Sequence, residues 1–214
     1  MCPLTNPIII VGCGPGARSY LTLEAIDTVK GADVLMGAPR VLALFEESGA
    51  ERIPLNGNIG ALLDEIERRR HRQSVVVLVT GDPGIHSLAA PIVARFGARH
   101  CRLIPGISAV QLACARVGVD FADTVILSAH HVLPDISSDA LIPFGTIAVL
   151  TGHPASLAWI QTLASVLPGD YRVILLENLS LEDECVRAVS VDALADETAS
   201  PLSIVLITRR SVSV

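Results

Sequence analysis

Two runs rich in β-branched residues, 8–11 and 75–80, each open directly onto a glycine-rich turn: Gly12-Cys13-Gly14-Pro15-Gly16 and Gly81-Asp82-Pro83-Gly84. A third turn, Pro105-Gly106-Ile107-Ser108, follows the short stretch 100–104. Glycine lets a backbone turn sharply and approach a ligand closely, and proline stiffens a turn without offering a donor. Any one of these segments reads most simply as a tight turn. Three at successive strand ends predict a single pocket built mainly from main chain.

The rest of the first half supports a layered α/β fold. Thr22 is placed to cap an amphipathic helix over 23–30 that Gly31 closes. A short strand is expected over 32–36, a short helix over 40–47, and a helix over 59–70 with Ile59, Leu62, Leu63 and Ile66 on one face. The run 74–80 is almost wholly apolar, as parallel strands covered on both faces are. A helix over 87–96 and a strand over 100–104 complete a βαβα alternation, which implies a mostly parallel sheet with helices on both sides.

After a helix over 108–117, ended by Gly118, the texture changes. Strands are expected over 124–128, 146–151, 173–177, 186–190 and 202–208, with one clear helix among them, 155–167. Strands that follow one another without helices imply antiparallel pairing, hence a mixed sheet. The expected domains are 1–117 and 118–214, and the Pro-, Asp- and Ser-rich segment 130–144 is expected to be a loop over the cleft between them.

Several classes of function are excluded or weakened. No apolar run reaches the roughly 18–20 residues of a membrane span, and residues 1–7 show no basic export signal, so no membrane role and a cytoplasmic location are expected. The five cysteines (2, 13, 101, 114, 185) are scattered, with no C-x-x-C pair, which reads as reduced thiols and no metal site. Residues 1–116 carry a balance of +2 and residues 117–214 a balance of −8. A nucleic-acid binder wants a substantial basic excess. The one basic run, Arg68-Arg69-Arg70 with Arg72, reads as a solvated helix C-terminus.

Gly12-x-Gly14-x-x-Ala17 matches the dinucleotide fingerprint, so a nicotinamide-dependent oxidoreductase has to be weighed. Against it, the helix signal begins only at Thr22, and Met36-Gly37-Ala38 stands where a ribose-binding acid belongs. The fingerprint also leaves the second and third turns unexplained. No Lys-Ser/Thr follows the glycines, so a triphosphate loop is absent.

Taken together, the Gly-x-Gly-Pro-Gly turn with Leu21-Thr22, Ala32-Asp33-Val34, Gly81-Asp82-Pro83 and Pro105-Gly106-Ile107-Ser108 resemble the tetrapyrrole methylases, the class III S-adenosylmethionine (SAM) methyltransferases. The resemblance covers essentially the whole chain. It implies two unequal α/β domains that dimerise and hold SAM in the cleft between them. Gly37-x-x-Arg40-x-Leu42, Ser108-x-x-Gln111-Leu112-Ala113, Leu150-Thr151-Gly152 with Pro154, and Glu177-Asn178-Leu179-Ser180 before Asp183-Glu184 are similar to the members that methylate the C5 meso carbon of a late corrin precursor in cobalamin biosynthesis. Methylation at another ring carbon is the alternative within the family. One departure is plain: where the family often has Ser-x-His-Gly-Arg, this chain has Ser128-Ala129-His130-His131-Val132, which removes or alters a basic contact to substrate.

The resemblance further implies that Pro15, Gly81, Asp82, Ile85, Ile107, Ser108 and Ala109 bind SAM from the first domain, and Thr151, Asn178, Leu179 and Pro201 from the second. Asp82 is read equally as a turn-stabilising side chain of its own loop. His130, His131 and Glu177 are candidates for a base that removes a proton after methylation, and Arg18, Arg40 and Arg116 for binding the carboxylates of a corrin-type substrate. In some family members a second module acts at C15. Here that step is expected from a separate partner, unless the chain is the N-terminal part of a fused protein.

Overall fold

The computed structural model describes residues 7–209; Cys2 and the rest of the segment read for an export signal, 1–6, lie outside the described residues, as do 210–214. The chain divides into two compact units between Ser108 and Ala109.

In the first unit, strands β1 (Ile8–Gly12), β2 (Val34–Gly37), β3 (Glu51–Pro54), β4 (Val75–Val79) and β5 (Cys101–Ile104) form a wholly parallel sheet in the order β3-β2-β4-β1-β5. Alternation along the strands feeds two cores. Ile8, Ile10, Val34, Met36, Val75 and Val77 pack on one face with Leu62 and Ile66 of α3 (Ile59–Arg69) and Ile92 of α4 (Ala89–Phe96). Val11, Leu35, Val76 and Leu78 pack on the other with Ala25 and Val29 of α1 (Leu23–Lys30) and Val41 and Leu42 of α2 (Pro39–Leu42). Helix α1 has the expected bounds because its ends are chemically marked. The Thr22 side chain accepts from the Ala25 N–H at 3.1 Å, and Gly31 follows the last turn. The strand β3 has no counterpart among the sequence expectations: Glu51 and Arg52 are exposed, and Pro54 ends it.

The second unit opens with α5 (Ala109–Val117). Its sheet runs β6 (Thr124–Ser128), β7 (Thr146–Leu150), β10 (Ser203–Arg209), β8 (Tyr171–Glu177), β9 (Cys185–Val189) in spatial order. The β6–β7 pair is parallel and the others antiparallel, so the sheet is mixed. Helix α6 (Ser156–Val166) covers one face through Leu157, Ile160 and Leu163. The division falls nine residues before the expected boundary because α5 packs on β10. The segment 130–144 is irregular apart from a short 3-10 turn, Ser138–Leu141, and it is pinned to its own unit. Leu141 is fully buried, and Leu133 and Ile136 pack against the same core as α6.

Candidate functional site

The order β4-β1-β5 places the three glycine turns at the carboxyl ends of three adjacent parallel strands. The connection leaving β1 runs one way, to β2, and that leaving the adjacent β4 runs the other way, to β5, the kind of switch point where open parallel sheets bind ligands. The turns touch through their main chains. Gly14 and Gly81 exchange a pair of backbone hydrogen bonds, 2.7 and 3.3 Å, and Cys13 N donates to the Val79 carbonyl at 2.8 Å. A Cβ on Gly12 would meet Gly106 N at 2.6 Å and the Gly81 carbonyl at 2.7 Å. No other residue type fits where three backbones approach this closely.

Asp82 ties two of the turns together. Its Oδ1 accepts from the Gly84 N–H at 2.7 Å and its Oδ2 from the Gly106 N–H at 3.1 Å. Both carboxylate oxygens therefore serve main chain, one of them in a neighbouring turn. Pro15 and Gly81 are buried, Ile85 is half-buried with its N–H on the Asp82 carbonyl, Ile107 is exposed, and Ser108 is buried. Ala109 opens α5 and so belongs to the second unit. His86 holds a left-handed backbone, φ 43, unusual for a residue with a Cβ and a mark of local strain beside the second turn.

Arg40 stands at the same end of the sheet. Its Nη2 donates to Thr80 Oγ1 at 2.7 Å, immediately before Gly81. Although the residue is exposed, burial of its guanidinium pushes its pKa down from the ordinary arginine value. Arginine starts high enough that it stays charged at neutral pH. Arg18 is more loosely held, with Nη1 at 3.5 Å from the Leu44 carbonyl and Nη2 at 3.5 Å from Glu47. Arg116, in the second unit, pairs through Nε and Nη2 with Glu184 at 2.5 and 3.2 Å, which holds the Glu184 carboxyl below its usual range.

In the second unit, register brings the remaining predicted residues to one end of the sheet. Leu150 is opposite both Ser128 and Ile204, and Glu177 is opposite both Ser203 and Cys185. Hence His130, Thr151, Asn178, Leu179 and Pro201 all emerge from the same rim. Thr151 is buried, and both its N–H and its Oγ1 donate to the Ser203 carbonyl, at 3.2 and 3.0 Å. Asn178 has a left-handed backbone, φ 50; its amide donates to Asp183 at 2.7 Å and accepts from Ser200 Oγ at 2.7 Å. Leu179 is buried and Pro201 exposed.

The three proton-acceptor candidates are not alike. Glu177 accepts from the Ser200 N–H at 2.8 Å and faces Arg187 at 3.5 Å, so its carboxylate shapes the turn before β10. His130 lies with Nδ1 at 2.8 Å from the Thr151 carbonyl. The His131 ring stands edge-on to it, centroids 4.4 Å apart. Sequence reasoning missed Ser200 and Thr80 and quoted Asp183 without a role, yet these residues organise the turns from 5 to 40 residues away in the chain. Short polar side chains in loops carry no signal of such long-range bonds.

The site residues suit SAM better than a dinucleotide. After the Gly12–Gly16 turn comes a 3-10 turn, Arg18–Tyr20, and α1 begins only at Leu23, so no α-helix N-terminus opens at these glycines to receive a pyrophosphate. The end of β2 offers no acid for a ribose. Residues 12–17, 81–85 and 105–108 include one carboxylate and no Lys or Arg, a surface compatible with a cationic ligand lacking phosphates. Among the described residues no cluster of His, Cys, Asp and Glu could hold a metal ion, and no helix is long and apolar enough to cross a membrane.

A family model described as Tetrapyrrole (Corrin/Porphyrin) Methylases matches residues 7–195. The chain is 36% identical over 190 residues to a cobalt-precorrin-7 C(5)-methyltransferase of Salmonella typhimurium, covering 87% of this chain and 92% of that protein. Its structure superposes on that of a precorrin-6Y methylase from Archaeoglobus fulgidus with a TM-score of 0.74 and 26% identity, over 97% of this chain and 100% of the other. It also superposes on a uroporphyrin-III C-methyl transferase from Thermus thermophilus, complexed with S-adenyl homocysteine, with a TM-score of 0.78 over 94% and 97% of the two chains. At 22% identity that last likeness speaks for the fold.

Proposed function

This chain belongs to the tetrapyrrole (corrin/porphyrin) methylases, and from that premise we propose that it transfers a methyl group from SAM to C5 of a late corrin precursor, cobalt-precorrin-7. The observation that carries the reading is the contact of Gly12, Gly81 and Gly106 at three adjacent strand tips, a main-chain surface of the kind this donor needs. When bound, SAM supplies an electrophilic methyl group on a cationic sulfur. With both reactants already activated, the protein's principal task is alignment, which alone is worth on the order of 7–11 kcal/mol in well-oriented reactions.

The chain's own residues divide that task. The first unit offers Pro15, Gly81, Ile85, Ile107 and Ser108 to the donor, with Asp82 holding the turns in register. From the second unit come Ala109, Thr151, Leu179, Pro201 and the main chain of Asn178, whose side-chain amide is already committed to Asp183 and Ser200. Arg40 is the substrate-binding cation of choice, because it stands beside Thr80 at the loop cluster while Arg116 is engaged by Glu184. Arg18 supplies a second, more weakly tethered cation. Proton removal falls to the rim of the second sheet, where His130, His131 and Glu177 lie. We also infer a cytoplasmic homodimer, with any C15 methylation and decarboxylation left to a separate partner.

The test is incubation with cobalt-precorrin-7 and SAM labelled with 13C in its methyl group, followed by mass spectrometry and NMR. A single label at C5 supports the proposal. A label at another ring carbon, or none with a competent substrate, overturns it.

A further inference from the structure

The two nitrogens of His130 have different surroundings. Nδ1 lies 2.8 Å from the Thr151 carbonyl, which can only accept, so Nδ1 carries the hydrogen and donates it. In the neutral ring the lone pair is therefore on Nε2, and Nε2 has no hydrogen-bond partner among the described residues. The Nδ1 corner of the ring abuts Gly152: a Cβ at that position would collide with Nδ1 and lie 2.8 Å from Cε1 and 2.9 Å from Cγ. The backbone around the ring is fixed as well, since Ala129 N donates to the Leu150 carbonyl at 2.8 Å and His153 N to the Ala129 carbonyl at 2.9 Å. His131 stands edge-on to the ring, and His153, whose main-chain N–H bonds the Ala129 carbonyl, uses its own Nδ1 to accept from Ala155 N.

Resting on the reading of this chain as a SAM-dependent C-methyltransferase, we propose that His130 Nε2 accepts the proton released by the newly methylated carbon, with the Thr151 carbonyl and Gly152 as its orienting pair. Transfer forms a C–C bond as the S–CH3 bond breaks, the electron pair remaining on sulfur. The acceptor carbon then carries both methyl and hydrogen, and the macrocycle is one positive charge ahead. Cleavage of that C–H bond returns its electrons to the macrocycle and moves the proton to Nε2, which becomes an imidazolium and later releases it to solvent. Glu177 is less suited to this role, because the Ser200 N–H and Arg187 already engage its carboxylate. A base placed this way contributes roughly 10²–10⁴-fold.

Two measurements test the assignment. In the donor-free protein, 15N NMR of the imidazoles should show Nδ1 of His130 protonated and Nε2 bare. His130→Ala should lose at least about 100-fold in kcat while SAM affinity stays within about two-fold. Added imidazoles should restore kcat in proportion to their basicity, a dependence that mere refilling of a hole would not show. Gly152→Ala keeps the imidazole but displaces it and strains a backbone at φ 147 beside Thr151, so it should cut kcat about ten-fold or more and weaken SAM binding as well. The opposite tautomer, wild-type kcat in His130→Ala, or rescue indifferent to basicity each overturns the assignment. If the wild-type protein transfers no methyl, the parent reading falls and this one with it; an active His130→Ala sinks this one alone.

Discussion

Gly106→Ala is the sharpest perturbation of the loop cluster, because every atom in its way is backbone. The new Cβ would lie 2.7 Å from both C and O of Gly12 and closer still to the Gly81 carbonyl, whereas ordinary contact begins near 3.4 Å. Relief requires the tip of β1 to retreat by about 0.7 Å, and the tip of β4 as well, since no side-chain rotation can help. Overpacking of this kind costs about 1–3 kcal/mol, corresponding to a fall in Tm of about 2–12 °C. Displacements approaching an ångström in a positioning site cost up to about 100-fold, so SAM should bind at least about ten-fold more weakly. Thermal unfolding and titration calorimetry measure the two effects. Gly49→Ala, which meets nothing within 4 Å, is the control and should change stability by less than about 0.5 kcal/mol. If Gly106→Ala melts and binds SAM like the wild type, the three turns are not in mutual contact and the reasoning fails.

Asp82→Asn should weaken SAM binding as much as Asp82→Ala and cost about 1–3 kcal/mol in urea unfolding, because its NH2 would face one of the glycine N–H donors; wild-type behaviour of the Asn variant would place Asp82 outside the staple. Arg40→Ala should raise the KM for the corrin about ten-fold without changing SAM affinity, and an unchanged KM removes Arg40 from the substrate site. Burial pushes the Cys13 thiol up to about 12 and raises those of Cys101 and Cys114. Above the ordinary thiol value of 9.0, unfolded Cys13 has lost its proton while the folded form keeps it, so stability must fall as pH rises through that window. Between pH 8 and 10 Cys13 should account for about 1 kcal/mol of that fall, and Cys13→Ala should show a shallower slope in urea unfolding; an unaltered slope contradicts the burial argument.

What the sequence revealed of the fold follows from where its information is local. Thr22 and Gly31 bound α1, and the wholly apolar run from Val75 to Val79 reads as a strand buried on both faces. The strand β3 escaped because its residues face solvent on an edge, where no apolar pattern is needed. The compact units divide before α5, in chain order a continuation of the first half, because that helix packs on β10, more than eighty residues later. Composition cannot announce which sheet a helix will cover.

The same contrast governs the site. At the tips of β4, β1 and β5 the contacts are made by glycines, and the absence of a side chain is itself visible in sequence, so the cluster could be anticipated from spacing alone. At the rim of the second sheet the contacts are side-chain bonds: Ser200 to Asn178 and Glu177, Asn178 to Asp183, Thr151 to Ser203, His130 to the Thr151 carbonyl. Serines and asparagines of that kind occur in any loop, and nothing in their spacing marks them. The two histidines stood out as a departure from the family motif and as candidate bases, but their asymmetry is a matter of which nitrogen a carbonyl oxygen reaches. It follows that the two rims should answer mutation in opposite ways: adding atoms damages the first, while removing polar atoms damages the second.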